Sequence, residues 1–194
     1  MNNALSAETS APATRRILVA ARALVERGGA AQISMGDVAA SAGVSKALIH
    51  YHFRDKDSLL QSLVEDVGHA VVRRAREAMN GETASHALDA YWAWVERELQ
   101  QGDIRVLISL AEYDSDKVRA TARRVADQRR ELAAEHTALV FSRLGLNPRV
   151  PATLIADTVI AFLDGLAVAV ALSPDKNPRP AFDVLWLALL TLAE

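Results

Sequence analysis

The chain has 194 residues, 51% of them hydrophobic, with 22 basic and 24 acidic side chains, a formal charge of −2 and no cysteine. That length and apolar content support a buried core and exclude an intrinsically disordered polypeptide. Without cysteine there is no disulfide scaffold and no thiolate metal site, and no basic start runs into an apolar leader segment, so a cytoplasmic protein is expected.

Alanine and leucine dominate and no strand-like alternation occurs, so helix is expected nearly throughout. The first ten residues are small and polar and predicted to fray, with Ser10 and Pro12 suited to a helix start. Ile17, Ala20, Ala21, Leu24 and Val25 then recur at the spacing of one helical face, which Gly28 and Gly29 end. Ser34, with Asp37 three residues on, predicts the capped start of a short second helix that Gly43 stops. Ser45 caps a third, Lys46 to His52. Asp55 and Asp57 place negative charge at the start of a long fourth helix, predicted to reach Met79 before the Asn80-Gly81 break.

Four further helical stretches follow, near Ser85–Gln100, Asp103–Tyr113, Asp116–Leu144 and Ala152–Leu172. The loop from Ser173 to Pro180 holds three prolines and is predicted non-helical, and a last helix spans Ala181–Ala193. The most apolar run, Leu154 to Leu172, carries Asp157 and Asp164, which would be costly inside a bilayer; a buried helix is expected there, with no membrane partner. The expected fold is therefore all-α, with about nine helices.

Charge is unevenly spread. Residues 1–60 hold seven basic and five acidic side chains, a net of +2, whereas residues 61–194 hold fifteen and nineteen, a net of −4. A mildly basic head on an acidic body permits nucleic-acid contact at the head.

The informative segment is Ile33 to Leu60. Two short helices flank the turn Ala42-Gly43-Val44. Gly43 suits a positive φ, Ala39 suits a close helix crossing, and Val44 and Ile49 can lock the second helix onto the first. These are the mechanical needs of a helix-turn-helix, whose second helix can enter the major groove. The run from Gly43-Val44-Ser45-Lys46-Ala47-Leu48-Ile49 through His50-Tyr51-His52-Phe53-Arg54-Asp55-Lys56-Asp57 to Ser58-Leu59-Leu60 resembles the signature of the TetR family of repressors.

That resemblance implies an N-terminal DNA-binding domain (1–56) and a regulatory ligand-binding and dimerisation domain (57–194). It implies that Ser34 meets a phosphate from a helix N-terminus and that Ser45 and Lys46 begin the recognition helix. Ala47 and Leu48 would lie near the groove floor, where apolar side chains meet thymine methyl groups. His50, Tyr51 and His52 would donate to phosphates, with either His50 or Tyr51 in the family's usual aromatic role, and Lys56 would reach the backbone from the fourth helix. His50 stands where tyrosine is usual and Ala47 where glycine is common.

On the body helices Tyr91, Trp92 and Trp94 cluster, either as core or as the wall of an apolar cavity that could cradle a cation. His136 is a buried histidine or a ligand contact. Asp157 is a polar anchor or, with Asp164 on the same face, a solvated stripe; Tyr113 and Phe162 complete the candidate ligand set. No metal or other cofactor is expected: His50 and His52, two apart on a helix, point to different sides. Arg123, Arg124, Arg129 and Arg130 are expected to pair on their own helix surface with Asp127, Glu131 and Glu135. No nucleophile elbow, glycine-rich phosphate loop or zinc-protease motif is present, so an enzyme is not expected.

The expected function is a repressor on double-stranded palindromic operator DNA, released by a small-molecule effector. It would be a homodimer through its last two helices, with Leu185, Trp186 and Leu189 toward the partner. An activator of the same family, or a dimeric protein-interaction module, is the alternative.

Overall fold

The computed structural model describes residues 2–78 and 87–194, with side chains from residue 13 onward. Among these residues the secondary structure is nine helices: α1 Asn2–Gly28, α2 Met35–Ala42, α3 Lys46–His52, α4 Lys56–Ala78, α5 Ala87–Gln101, α6 Asp103–Ala111, α7 Asp116–Arg143, α8 Ala152–Leu172 and α9 Arg179–Leu190. The expected all-α fold stands. The predicted Met79 end of α4, the Asn80-Gly81 break and the Ser85 start of α5 lie outside the described residues.

Several boundaries differ from expectation: α6 ends at Ala111 and not Tyr113, and α9 at Leu190 and not Ala193. α1 begins at Asn2, not near Ser10. α9 begins at Arg179, so Pro180 lies inside its first turn instead of in the preceding loop. There its missing N–H would have had no intrahelical acceptor, and its fixed φ already suits a helix.

The described residues form two compact units, each discontinuous in sequence: Met1–Gly68 with Val106–Val125, and His69–Arg105 with Ala126–Glu194. The chain passes from one to the other within α4, α6 and α7.

In the first unit the predicted α1 stripe is buried at Ile17, Ala20, Ala21 and Val25; Leu24 is half-buried. Ile33, Val38, Ala39, Ile49, Phe53, Leu59, Leu60 and Leu63 close the core around it. One approach was not foreseen. A Cβ built on Gly68 of α4 would stand 2.6 Å from both Val125 methyl carbons of α7, so hydrogen is the only side chain the crossing admits without movement. The corner between α6 and α7 is also hydrogen-bonded into this unit: Ser115 Oγ donates to Asp57 at 2.7 Å, Tyr113 Oη donates to the same carboxylate at 3.3 Å, and Ser109 Oγ accepts the Ala30 N–H at 2.9 Å.

The second unit is built on α5, α8 and α9 with the remainders of α4 and α7. Tyr91 is its aromatic centre, with ring centroids of Trp94, Trp186, His136 and Phe182 at 5.4–6.0 Å. A buried ionic triad joins α4 to α5 and α6. The Arg74 guanidinium donates from Nε and Nη2 to Glu98 at 2.5 and 2.7 Å, and from Nη2 to Asp103 at 2.7 Å. Glu98 is fully buried.

The body arginines pair mostly between helices, which corrects the expectation of same-helix pairing. Arg129 binds Asp164 and Arg130 binds Asp157, both on α8, while Arg124 reaches Glu65 on α4; Arg130 also pairs with Asp127 three residues before it.

α8 is long and apolar enough to cross a membrane by length and composition, and only a third of its most apolar window is buried. Ile155, Ala156, Val159, Leu163, Leu166 and Ala167 face inward, while Leu154, Val168 and Leu172 stay exposed. The outward face of α9 also departs from expectation. Trp186 and Leu189 are buried within the protomer, and Val184 and Leu187 are exposed instead, at 65% and 66%. The aromatic cluster around Tyr91 claims Trp186 for the core.

Candidate nucleic-acid interface

The interface is assembled by short-range hydrogen bonding. Ser34 Oγ accepts the Asp37 N–H, and the Asp37 carboxylate in turn accepts from the Ser34 N–H at 3.0 Å and hydroxyl at 2.6 Å. This reciprocal box satisfies donors at the start of α2 that no helical carbonyl reaches. Its hydrogen bonds hold the Asp37 carboxyl below the usual carboxylate range. α2 stops at Gly43, whose φ of 63° and ψ of 41° place it in the left-handed region that a Cβ disfavours. Ser45 then caps α3 by accepting the Leu48 N–H at 3.1 Å.

Ile49 fixes the roll of α3. It is fully buried, as is nearly all of Phe53, so the opposite face must look outward. That face presents Lys46, Ala47, His50 and Tyr51, all exposed, with Tyr51 at 73%; Leu48 is half-buried at its edge. A seven-residue helix held by one buried isoleucine and a serine cap, with a cation, two aromatic donors and a methyl group outward, has the shape and chemistry of a major-groove reader.

Three of the predicted contacts are placed differently from the rest. His52 turns inward, its Nδ1 3.2 Å from Thr14 Oγ1 of α1. The Lys56 ammonium donates to the Ala31 carbonyl at 2.9 Å and lies 4.9 Å over the Tyr113 ring, and its burial lowers its pKa. The Ser34 hydroxyl is committed to Asp37. Ser45, Lys46, Ala47, His50 and Tyr51 share the exposed side with the edge residue Leu48. Arg16 was missed. Its Nη2 donates to the Gly43 carbonyl at 3.1 Å and its Nε to the Ala42 carbonyl at 3.3 Å, bracing the turn from α1. No local spacing signals a partner 26 or 27 residues away.

In the second unit, Tyr91, Trp94 and His136 of the candidate ligand set line one cavity with Arg129 and apolar side chains of α4, α7 and α8. The remaining four do not line it. Trp92 lies under the Arg179 guanidinium at 5.4 Å, Tyr113 belongs to the first unit, Asp157 pairs with Arg130, and Phe162 is half-buried on α8. Burial, with the nearby Arg76 charge, pushes His136 down to about 4, and burial raises the Tyr91 phenol well above its ordinary value.

The family model of bacterial regulatory proteins of the tetR family matches residues 17–63, the stretch from the α1 core stripe into α4. The HTH-type transcriptional regulator BetI of Brucella anthropi is 30% identical, over 84% of this chain and 84% of its own. BetI of Brucella suis is 29% identical, over 84% and 83%. Among solved structures, regulatory protein TetR from Rhodobacter sphaeroides superimposes with a TM-score of 0.77 at 16% identity, covering 94% of this chain and 99% of its own. The fatty acid degradation regulator FadR from Bacillus halodurans does so with a TM-score of 0.76 at 17% identity, covering 92% and 95%. At such identities these two structures speak to the fold alone. The similarity to BetI extends through the body as well as the head, and the chain belongs to the TetR family of bacterial transcriptional regulators, with a DNA-binding helix-turn-helix at its N-terminus.

Proposed function

We propose that this regulator is a cytoplasmic repressor that binds a palindromic operator as a homodimer and leaves it when a small molecule occupies its body. The observation that carries the reading is the outward face of α3, where Lys46, Ala47, His50 and Tyr51 stand together while Ile49 anchors the helix from behind. Tyr51 takes the aromatic phosphate contact, since it stands 73% exposed and packs edge-on against His52 at 5.3 Å. The boundary of the DNA-reading part falls near Lys56, after the last outward residue of α3.

Dimerisation is supported by the apolar surface of α8 and α9. Leu154, Val168, Leu172, Val184 and Leu187 are exposed on two neighbouring helices, and a second copy covering them would form a four-helix bundle. A two-fold dimer matches the symmetry of a palindromic operator, whose half-sites lie about 34–36 Å apart, one turn of DNA. Effector control is supported by a regulator of the same fold, FadR from Bacillus subtilis, solved in complex with stearoyl-CoA at a TM-score of 0.69. An effector acts only through its different affinities for the operator-binding and released states.

The test is binding of the purified protein to the DNA upstream of its own gene, at two salt concentrations, with Lys46→Ala beside it. Tight binding that weakens with salt, and a salt slope reduced by about one in the variant, is the expected result. Absence of binding there and in a random-site selection would refute the operator reading and favour a head that binds protein.

A further inference from the structure

The cavity in the second unit carries information about its ligand. Its walls are Val71, Val72 and Ala75 of α4, Leu132 and Ala133 of α7 and Ile160 of α8, with four polar side chains among them. Each of these four can donate a hydrogen bond: the Trp94 indole, the Tyr91 hydroxyl, the His136 ring and the Arg129 guanidinium. None of the lining residues is a carboxylate.

Trp94 is the sharpest of them. The residue is 6% exposed, and its buried Nε1–H has no acceptor among the described residues. A buried donor left without a partner is costly, and an acceptor entering the cavity would satisfy it. Arg129 is 9% exposed and bound to Asp164 on α8, a carboxylate outside the cavity wall. A cation entering here would meet a guanidinium and three neutral groups, and the carboxylate beside them, Asp164, is already taken by Arg129. An aromatic cluster alone would have suited a cation; the arginine reverses that preference.

We infer that the effector is an apolar molecule carrying a hydrogen-bond-accepting head, a carbonyl or a carboxylate, which takes the Trp94 Nε1–H and the edge of Arg129, and that cationic molecules are rejected. This rests on the effector-controlled reading above. The burial that keeps His136 uncharged fits it, because a neutral ring leaves the cavity able to accept an apolar body. The cavity measures about 20 Å³, little more than one water. A ligand of any size must therefore part α4 from α7 and α8 at Val71, Ala133 and Ile160, so that binding favours a body different from the one described here.

The experiment is calorimetric titration of the full chain with a matched series: phenylacetate, phenylacetamide, ethylbenzene and 2-phenylethylammonium. Phenylacetate and phenylacetamide are expected to bind at least about tenfold more tightly than the ammonium. Trp94→Phe, which keeps an aromatic ring but removes the N–H, is expected to weaken both acceptors roughly threefold to tenfold while not weakening ethylbenzene. Equal or tighter binding of the ammonium would overturn the inference. So would a Trp94→Phe loss as large for ethylbenzene as for phenylacetamide, or no binding by any of the four at millimolar concentration. If Trp94→Phe fails to fold, the ranking of the four on the unaltered chain decides. Operator binding without probe separates the two levels: DNA binding with the wrong ranking sinks the ligand class alone, whereas the right ranking without DNA binding sinks the repressor reading alone.

Discussion

Gly68→Ala isolates the crossing of α4 and α7 in the first unit. The added methyl would stand 2.6 Å from both Val125 Cγ atoms and 3.2 Å from its Cβ, against about 3.5–4.0 Å for comfortable carbon contact. Both methyl groups are blocked at once, so no rotation of Val125 relieves the overlap and the helices must separate by roughly 1 Å. Overpacking of this kind costs about 1–3 kcal/mol. Alanine in a helix interior returns about 0.5–1 kcal/mol of backbone entropy. The net expectation is a loss of about 1 kcal/mol, seen as a Tm lower by roughly 2–4 °C for a chain of this size. Chemical denaturation of Gly68→Ala, Val125→Ala and the double variant gives the decisive number. Val125→Ala alone loses packing, but in the Gly68→Ala background it removes the clash, so the double variant should be more stable than the sum of the two singles by about 1–2 kcal/mol. A stabilised Gly68→Ala, or strictly additive singles, would refute the claim that hydrogen is required at this crossing.

Three further outcomes are expected. Arg74→Leu takes the guanidinium away from the fully buried Glu98 carboxylate and should cost about 3–5 kcal/mol in urea unfolding; a cost below about 1 kcal/mol would show the triad to be solvated. His136 is held at about 4 in the folded chain against 6.5 when free, so the unfolded chain binds the extra proton between these values; thermal stability should fall as pH drops from about 6.5 toward 4, and His136→Gln should flatten that part of the profile. Leu187→Glu puts a charge on the exposed apolar surface of α9 without touching the aromatic core, and sedimentation should report monomers where the unaltered chain gives dimers.

The DNA-reading end was legible because its signals are local. The Ser34–Asp37 box, the Gly43 stop and the Ser45 cap each act within three or four residues, and each is present as the spacing predicts. The body was legible only as helices. Which face of α9 lies inside could not be read from period, because Phe182, Val184, Leu185, Trp186, Leu187 and Leu189 are apolar on every side of a 12-residue helix. The interactions that organise the interior join distant positions: Gly68 with Val125, Arg74 with Glu98 and Asp103, Arg129 with Asp164, Arg16 with the turn at Gly43. The same distance hid the commitment of Lys56. A lysine after a helix-turn-helix reads as a phosphate contact until Ala31 and Tyr113 are seen to hold it.

The discontinuity of the first unit bears on how such regulators can be recombined. A graft of residues 1–56 onto a foreign body would leave behind Leu59, Leu60 and Leu63, which are fully buried in that unit, and would cut Lys56 from Tyr113. The segment Val106–Val125 supplies Ser109, Ser115 and Val125 to the same unit from the middle of the chain. A functional chimera therefore needs three junctions on the incoming side, one after Gly68, one before Val106 and one after Val125. Sensor exchange among these proteins should succeed most often between bodies that already share the α6–α7 corner.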